Sequence, residues 1–371
     1  MSESNGSLVT NATTPQTGCP PMNKLLSDET FRAVKSVVLI VIMLTAFVGN
    51  SLVINIVSRN QRMKNATNYL IVNLAVSELV TVCTTMVMTF YIALIYPKSM
   101  DYLNQVFATV ICKFFIAFLD VFCHSLAMLS LTVIAFDRFF GVQYPMRRTI
   151  TRTRAKVIIA VIWFLALIDS SPNLYIYSAV EVRGKIGCLM NWAPMHPDSQ
   201  IIYVSTQMVL FYALPLVVMG ILYSITVHKL WVRRIPGNVI AANQRLEHKT
   251  KVNVLKMCIT VVVTFALLLF PIYVLRISAL AGKRLCITTF EVTEVLAMIP
   301  NTYYAINPVI YFLFSKDYRR GFIAIIKPLV SLCHDHPFPG LARDVMSVRN
   351  TTANAHDNGV QSLSLQTLDR I

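Results

Sequence analysis

Ser130–Tyr144 reads SLTVIAFDRFFGVQY, a stretch in which a long apolar run ends in an acid–base pair, Asp137-Arg138. A charge pair at the end of a membrane-length helix is expensive unless it has a task. The run before it is one of seven apolar segments, near 34–58, 69–96, 107–140, 155–177, 200–231, 251–280 and 290–313. Each is long enough to cross roughly 30 Å of hydrocarbon as a helix. The fold class expected is an all-α membrane protein, a seven-helix bundle over 34–313.

Composition agrees. Of 371 residues, 55% are hydrophobic and only 14% charged, and the mean hydropathy is +0.59. Such a chain is read as an integral membrane protein. The net charge of +15 would suggest a nucleic-acid partner in a soluble protein. Here it follows from Lys and Arg gathered in alternate loops, and no nucleic-acid motif competes. The first loop carries Arg59, Arg62 and Lys64. The third carries Arg147, Arg148, Arg152, Arg154 and Lys156, and the fifth Lys229, Arg233, Arg234, Arg245, Lys249 and Lys251. Basic loops belong in the cytoplasm, so an odd number of spans puts the N-terminus outside.

Residues 1–33 then form an extracellular tail, with no cleavable signal sequence and with two glycosylation sequons, at Asn5 and Asn11. Residues 314–328 form an amphipathic membrane-surface helix, with Tyr318, Phe322 and Ile325 on one face, ended by Pro328. Cys333 follows at the membrane edge and is a palmitoylation candidate, a free thiol being the alternative. Residues 329–371 read as a disordered cytoplasmic tail.

The ordered motifs resemble the rhodopsin-like G-protein-coupled receptors over about 30–328. They are Gly49-Asn50, Leu74-Ala75-Val76-Ser77-Glu78, Cys112, Asp137-Arg138-Phe139, Trp163, Pro215 with Tyr223, Phe265 with Pro271, and Asn307-Pro308-Val309-Ile310-Tyr311. The resemblance implies that Asp137 restrains Arg138 at rest. It implies that span six swings outward about Pro271, and that Arg138 then meets a heterotrimeric G protein. Tyr223 and Tyr311 would help hold the open state, and arrestin would be a further partner. Asn50 and Glu78 would be core polar residues, with Asn307 and Pro308 in the span-seven motif. The resemblance also implies a Cys112–Cys188 disulfide. Some peptide-binding relatives join the N-terminal tail to the third outer loop, so Cys19–Cys286 is a second bridge to weigh against free thiols.

This chain departs from the family pattern in several places. Glu78 replaces an Asp, and Ala127, Tyr303 and Tyr304 stand where relatives carry small polar groups, which disfavours a sodium ion near Glu78. Leu269 replaces the span-six Trp. Lys251 replaces an acid that clamps the span-three Arg, so the resting state lacks that lock. The distance from Cys112 to Arg138 is one residue longer than usual, which a bulge in the outer half of span three would absorb. No other cofactor is implied.

Ser178–Trp192 alternates around Arg183-Gly184 and reads as a β-hairpin lid. Such lids resemble those of peptide receptors, and the stretch Lys229–Gly237 resembles receptors of the RFamide and neuropeptide Y-like group. Asp120 lies eighteen residues before Arg138, five helical turns and about 27 Å along the axis. That puts it on the same face, near a ligand pocket, as an acid for a ligand cation. Its alternative is an internal polar anchor. Arg276 could meet a carboxylate or carbonyl. Glu294, His124, Gln207 and Asn301 are further pocket candidates. The expected function is a neuropeptide receptor coupled to a G protein in the plasma membrane. A biogenic amine receptor with Asp120 as the ammonium anchor is the alternative within the fold, and a membrane transporter the alternative outside it. No nucleophile–base set or phosphate loop suggests an enzyme.

Overall fold

The computed structural model describes residues 28–90, 104–144, 150–182, 185–192, 195–196, 198–232, 241–280 and 290–335. Contacts divide the chain into two units, residues 1–319 and 320–371. The first unit holds the bundle. Helix α1 is Asp28–Arg59 and α2 is Ala66–Phe90. Helix α3 is Gln105–Gln143, α4 is Arg152–Ser170, and α5 is Ser199–Val232. Helix α6 is Ala241–Leu280, and α7 comprises Phe290–Met298 and Thr302–Phe314, joined by a 3-10 turn at Ile299–Asn301. Among the described residues, six helices are long and apolar enough to cross a membrane. Helices α1 and α6 start earlier than their apolar runs, at Asp28 and Ala241. Bilayer thickness limits the apolar length, whereas the hydrogen-bond ladder continues into polar flanks.

Helix α3 is the axis, packing against α2, α4 and α5. Leu126, Ala127, Met128, Ser130 and Ala135 are buried along it. Leu44, Phe47 and Val48 on α1 and Phe164 and Ile168 on α4 are exposed. The outer faces stay apolar because lipid tails are as apolar as these side chains, so there is no penalty for leaving them outside, while small residues inside let the helices approach closely.

Three of the helices carry π-helical turns, at Val82–Met86, Ile111–Phe118 and Val209–Ala213. The second lies where the extra residue between Cys112 and Arg138 called for a bulge. There the Thr85 hydroxyl of α2 donates to the Phe115 carbonyl at 3.1 Å. The third ends two residues before Pro215.

Prolines in spans leave backbone carbonyls without their usual donor, and in hydrocarbon another group must supply one. Pro308 deprives the Tyr304 carbonyl, four residues back, and Asn50 Nδ2 donates to that oxygen at 3.1 Å. Near Pro271 the Tyr212 hydroxyl donates to the Ala266 carbonyl at 3.0 Å. Asn73 links three helices: it donates to Ser130 Oγ at 2.9 Å and accepts from Trp163 Nε1 at 2.8 Å.

Helix α8, Lys316–Asp335, continues through Pro328 rather than ending there. A proline removes one i→i−4 bond, a local loss that need not end a helix. Its first turn belongs to the bundle: Tyr318 is buried, stacks on Tyr311 at 5.6 Å, and its hydroxyl donates to Asn68 Oδ1 at 3.5 Å. The Cys333 side chain lies outside the described residues, as do residues 336–371 and Asn5, Asn11, Cys19 and Cys286.

Gly49 meets α7 without clearance. A Cβ there would lie 2.7 Å from Pro308 Cβ and 2.8 Å from Cγ, against a ring that cannot rotate away. Gly49→Ala is expected to destabilise the bundle by about 1–3 kcal/mol, read as a lower melting temperature of the purified protein and reduced surface expression. An unchanged melting temperature would show that α1 and α7 part freely here.

Candidate functional site

The end of the bundle away from Arg138 is capped by a β-hairpin. Strand β1, Tyr177–Val182, pairs antiparallel with β2, Lys185–Met190, in the register Tyr177 to Met190 and Val182 to Lys185. The turn residues Arg183 and Gly184 lie outside the described residues, but the hairpin is where the alternating pattern placed it. Cys188 is bonded to Cys112. Ala179 is buried with Ala108 and Cys112 at the start of α3, and Gln105 Nε2 donates to the Ala179 carbonyl at 2.9 Å. The lid is therefore held to α3 covalently, by packing and by a hydrogen bond.

Beneath it lies a cavity of about 240 Å³ lined from α3, α4, α5, α6 and α7. Five of the six ligand-binding residues expected from sequence face it: Asp120, His124, Gln207, Arg276 and Asn301. The sixth, Glu294, has its side chain outside the described residues. Asp120 has no hydrogen bond among the described residues. Arg276 lines the same cavity, its guanidinium over the Tyr273 ring at 5.8 Å. The anchor reading, a bond from Asp120 to α7, finds no support in these contacts.

Sequence reasoning passed over Asp169. This α4 carboxylate also lines the cavity, accepting from Ser125 Oγ at 2.5 Å and from Gln207 Nε2 at 3.4 Å. The rule that singled out Asp120, an acid inside an apolar span, applies equally to the run IWFLALIDSS.

The cavity floor is aromatic. Leu269 is buried in place of the expected Trp. His124 approaches Phe265 at 5.4 Å between ring centroids, Phe265 meets Tyr303 edge-on at 4.9 Å, and Tyr303 packs on Tyr304 at 4.0 Å. The Tyr273 hydroxyl lies 3.3 Å from His124 Nε2. Below this layer Glu78 is buried and accepts from Asn307 Nδ2, while its second oxygen has no hydrogen-bond partner among the described residues.

At the other end of α3, Arg138 pairs with Asp137. Thr67 of α2, also unnamed by the sequence reading, joins both: its hydroxyl donates to Asp137 Oδ2 and accepts from Arg138 Nη2. None of the Arg138 hydrogen bonds among the described residues reaches α6. Lys229 of α5 donates instead to the Gln143 carbonyl at 3.2 Å, at the end of α3. Tyr223 is buried, its hydroxyl without a hydrogen-bond partner among the described residues.

The profile of the 7 transmembrane receptor (rhodopsin family) matches residues 49–311, and the chain belongs to this family. The chain is 32% identical to the Substance-P receptor of Cavia porcellus over 290 residues, covering 76% of this chain and 68% of that receptor. It is 32% identical to the Neuromedin-K receptor of Oryctolagus cuniculus, covering 76% of this chain and 59% of that receptor. It is 29% identical to Galanin receptor 2a of Danio rerio, covering 77% and 76%. The family is one of receptors, neither enzymes nor transporters, so it sets aside the transporter alternative and makes this chain a multi-pass plasma-membrane protein.

Because Thr67 alone ties α2 to the Asp137–Arg138 pair among the described contacts, Thr67→Ala is expected to raise ligand-independent signalling about two- to tenfold, the loss of roughly 0.5–1.5 kcal/mol of hydrogen bonding. Basal second-messenger level per surface receptor measures it, and an unchanged level would leave Thr67 a packing residue.

Proposed function

We propose that this chain is a receptor for an extracellular neuropeptide that activates a heterotrimeric G protein. The observation that carries it is the arrangement of α3: Asp120 faces a lidded cavity without a hydrogen bond of its own, and Arg138 is restrained by Asp137 and Thr67 at the other end of the same helix. The three similar receptors take peptide names, and a hairpin lid agrees with that class. A cavity of about 240 Å³ suits the end of a peptide, whose remainder would lie against the lid. The RFamide and neuropeptide Y-like group remains the finer reading of the inner-loop sequence.

In this reading the N-terminal tail is extracellular and glycosylated at Asn5 and Asn11, and the basic loops face the cytoplasm. Residues 316–328 lie along the inner lipid surface, with Cys333 palmitoylated beyond them. The peptide binds the open state more tightly, which is the only way a ligand shifts such an equilibrium. Helix α6 moves outward about Pro271, Arg138 leaves Asp137, and the vacated space receives the G protein, or arrestin afterwards. Tyr223 and Tyr311 then bring hydroxyls toward the opened centre.

The test is G-protein activation in transfected cells against a panel of amidated neuropeptides and biogenic amines. A saturable peptide response supports the reading; a response to amines alone overturns it in favour of a small-amine receptor. Arg138→Ala should reduce agonist-driven activation to background at unchanged surface expression, and full activation by that variant would remove the pair from the mechanism. Asp120→Asn should lower the potency of a cationic agonist by roughly tenfold or more, whereas an unshifted dose–response curve would make Asp120 structural.

A further inference from the structure

We propose that Asp169 is a second ligand-binding carboxylate, which with Asp120 takes the guanidinium of a ligand arginine; this rests on reading the cavity as the agonist site. Both acids line one cavity. The cation among its described lining residues is Arg276, beside the imidazole of His124. Among the described lining residues the cavity therefore has two carboxylates and one guanidinium. Carboxylates buried within a bundle incur a desolvation cost, and a ligand cation entering the cavity they share offsets that cost.

Asp169 also has acceptor capacity to spare. It receives bonds from Ser125 and Gln207, while a carboxylate offers about four lone-pair sites. If Asp169 served only to tie α4 to α3 and α5, a neutral amide would do so with less desolvation. The Tyr203 hydroxyl already contributes to that tie, donating to the Asp169 carbonyl at 3.4 Å and accepting from Gln207 Nε2 at 2.8 Å.

A guanidinium suits the site better than an ammonium. Its five donors lie on separate edges of one plane, so it bridges carboxylates that come from different helices. Phe211 adds an aromatic side chain to the lining beside the Tyr273 ring that already carries Arg276, and aromatic rings of this kind attract a guanidinium plane. Asp169 would then select for arginine at the ligand position that enters the cavity.

The test uses the purified full-length protein in detergent, its thermal unfolding followed across concentration series of L-argininamide, L-citrullinamide and L-lysinamide. Argininamide should raise the melting temperature saturably, and citrullinamide, which keeps the α-ammonium but replaces the guanidinium with a neutral urea of similar shape, should not. Asp169→Asn and Asp120→Asn should each weaken the argininamide midpoint roughly tenfold or more. Asp169→Glu, which keeps the charge, should retain a saturable shift. The proposal is overturned if Asp169→Asn keeps the wild-type argininamide midpoint, if Asp169→Glu folds but loses the shift, if lysinamide matches argininamide, or if the wild-type protein is not stabilised. This measurement involves no peptide and no G protein. A chain that signals to no peptide would therefore sink the receptor reading without touching this result, and a missing argininamide shift would sink the site without touching signalling.

Discussion

Within a bilayer no water reaches the backbone, so every polar group inside the bundle must find its partner in the protein. That constraint accounts for most of the specific contacts in this structure. Asn50 supplies the donor that Pro308 withholds from the Tyr304 carbonyl, and Thr85 bonds the Phe115 carbonyl within the π-helical turn of α3. Tyr212 bonds a carbonyl beside Pro271. At Pro308 and at the π-helical turn of α3 a side chain from a neighbouring helix supplies the donor, and these pairs tie α1 to α7 and α2 to α3. Gly49 lets α1 come close enough to α7 for Asn50 to reach its target.

Against that background, the groups that lack a protein partner stand out. Asp120 carries a carboxylate into the cavity with no hydrogen bond among the described residues, and Glu78 leaves one oxygen unpaired. The Tyr223 hydroxyl is buried and has no nitrogen or oxygen partner among the described residues. Unpaired polar groups cost stability, so they collect where another state or a ligand completes them. The Tyr223 hydroxyl faces the inner half of the bundle and Asp120 the hairpin half. The packed rings of His124, Phe265 and Tyr303 connect the cavity floor to the core between them.

The departures from the family pattern also become physical. Leu269 removes a ring from the cavity floor, and the His124–Phe265–Tyr303 contacts occupy that level of the bundle instead. Lys251 removes the acid that clamps the Arg of span three, and Thr67 from α2 takes part in holding the pair. The interhelical hydrogen bonds to the pair among the described residues thus come from α2 rather than α6.

Much of this was legible in the sequence because membrane spans are written as continuous apolar runs. The seven segments and the hairpin follow from hydrophobic pattern, while the pairing of Cys112 with Cys188 and the α3 bulge came from the resemblance to the receptor family. Asp120 and Arg276 were legible through their place relative to Arg138 and Pro271, and His124, Gln207 and Asn301 were further candidates that also line the cavity. What the sequence did not show is which polar side chains meet. Asp169, Ser125 and Gln207 lie on three helices, and Thr67 stands 70 residues from Asp137. Sequence alone determined the helices, because hydrophobic length and period are local properties of the chain. Tertiary structure alone decided that Asp169 shares a cavity with Asp120 and that Thr67 joins the Arg138 pair, because helix rotation and crossing are set by packing between distant segments, which no local pattern records.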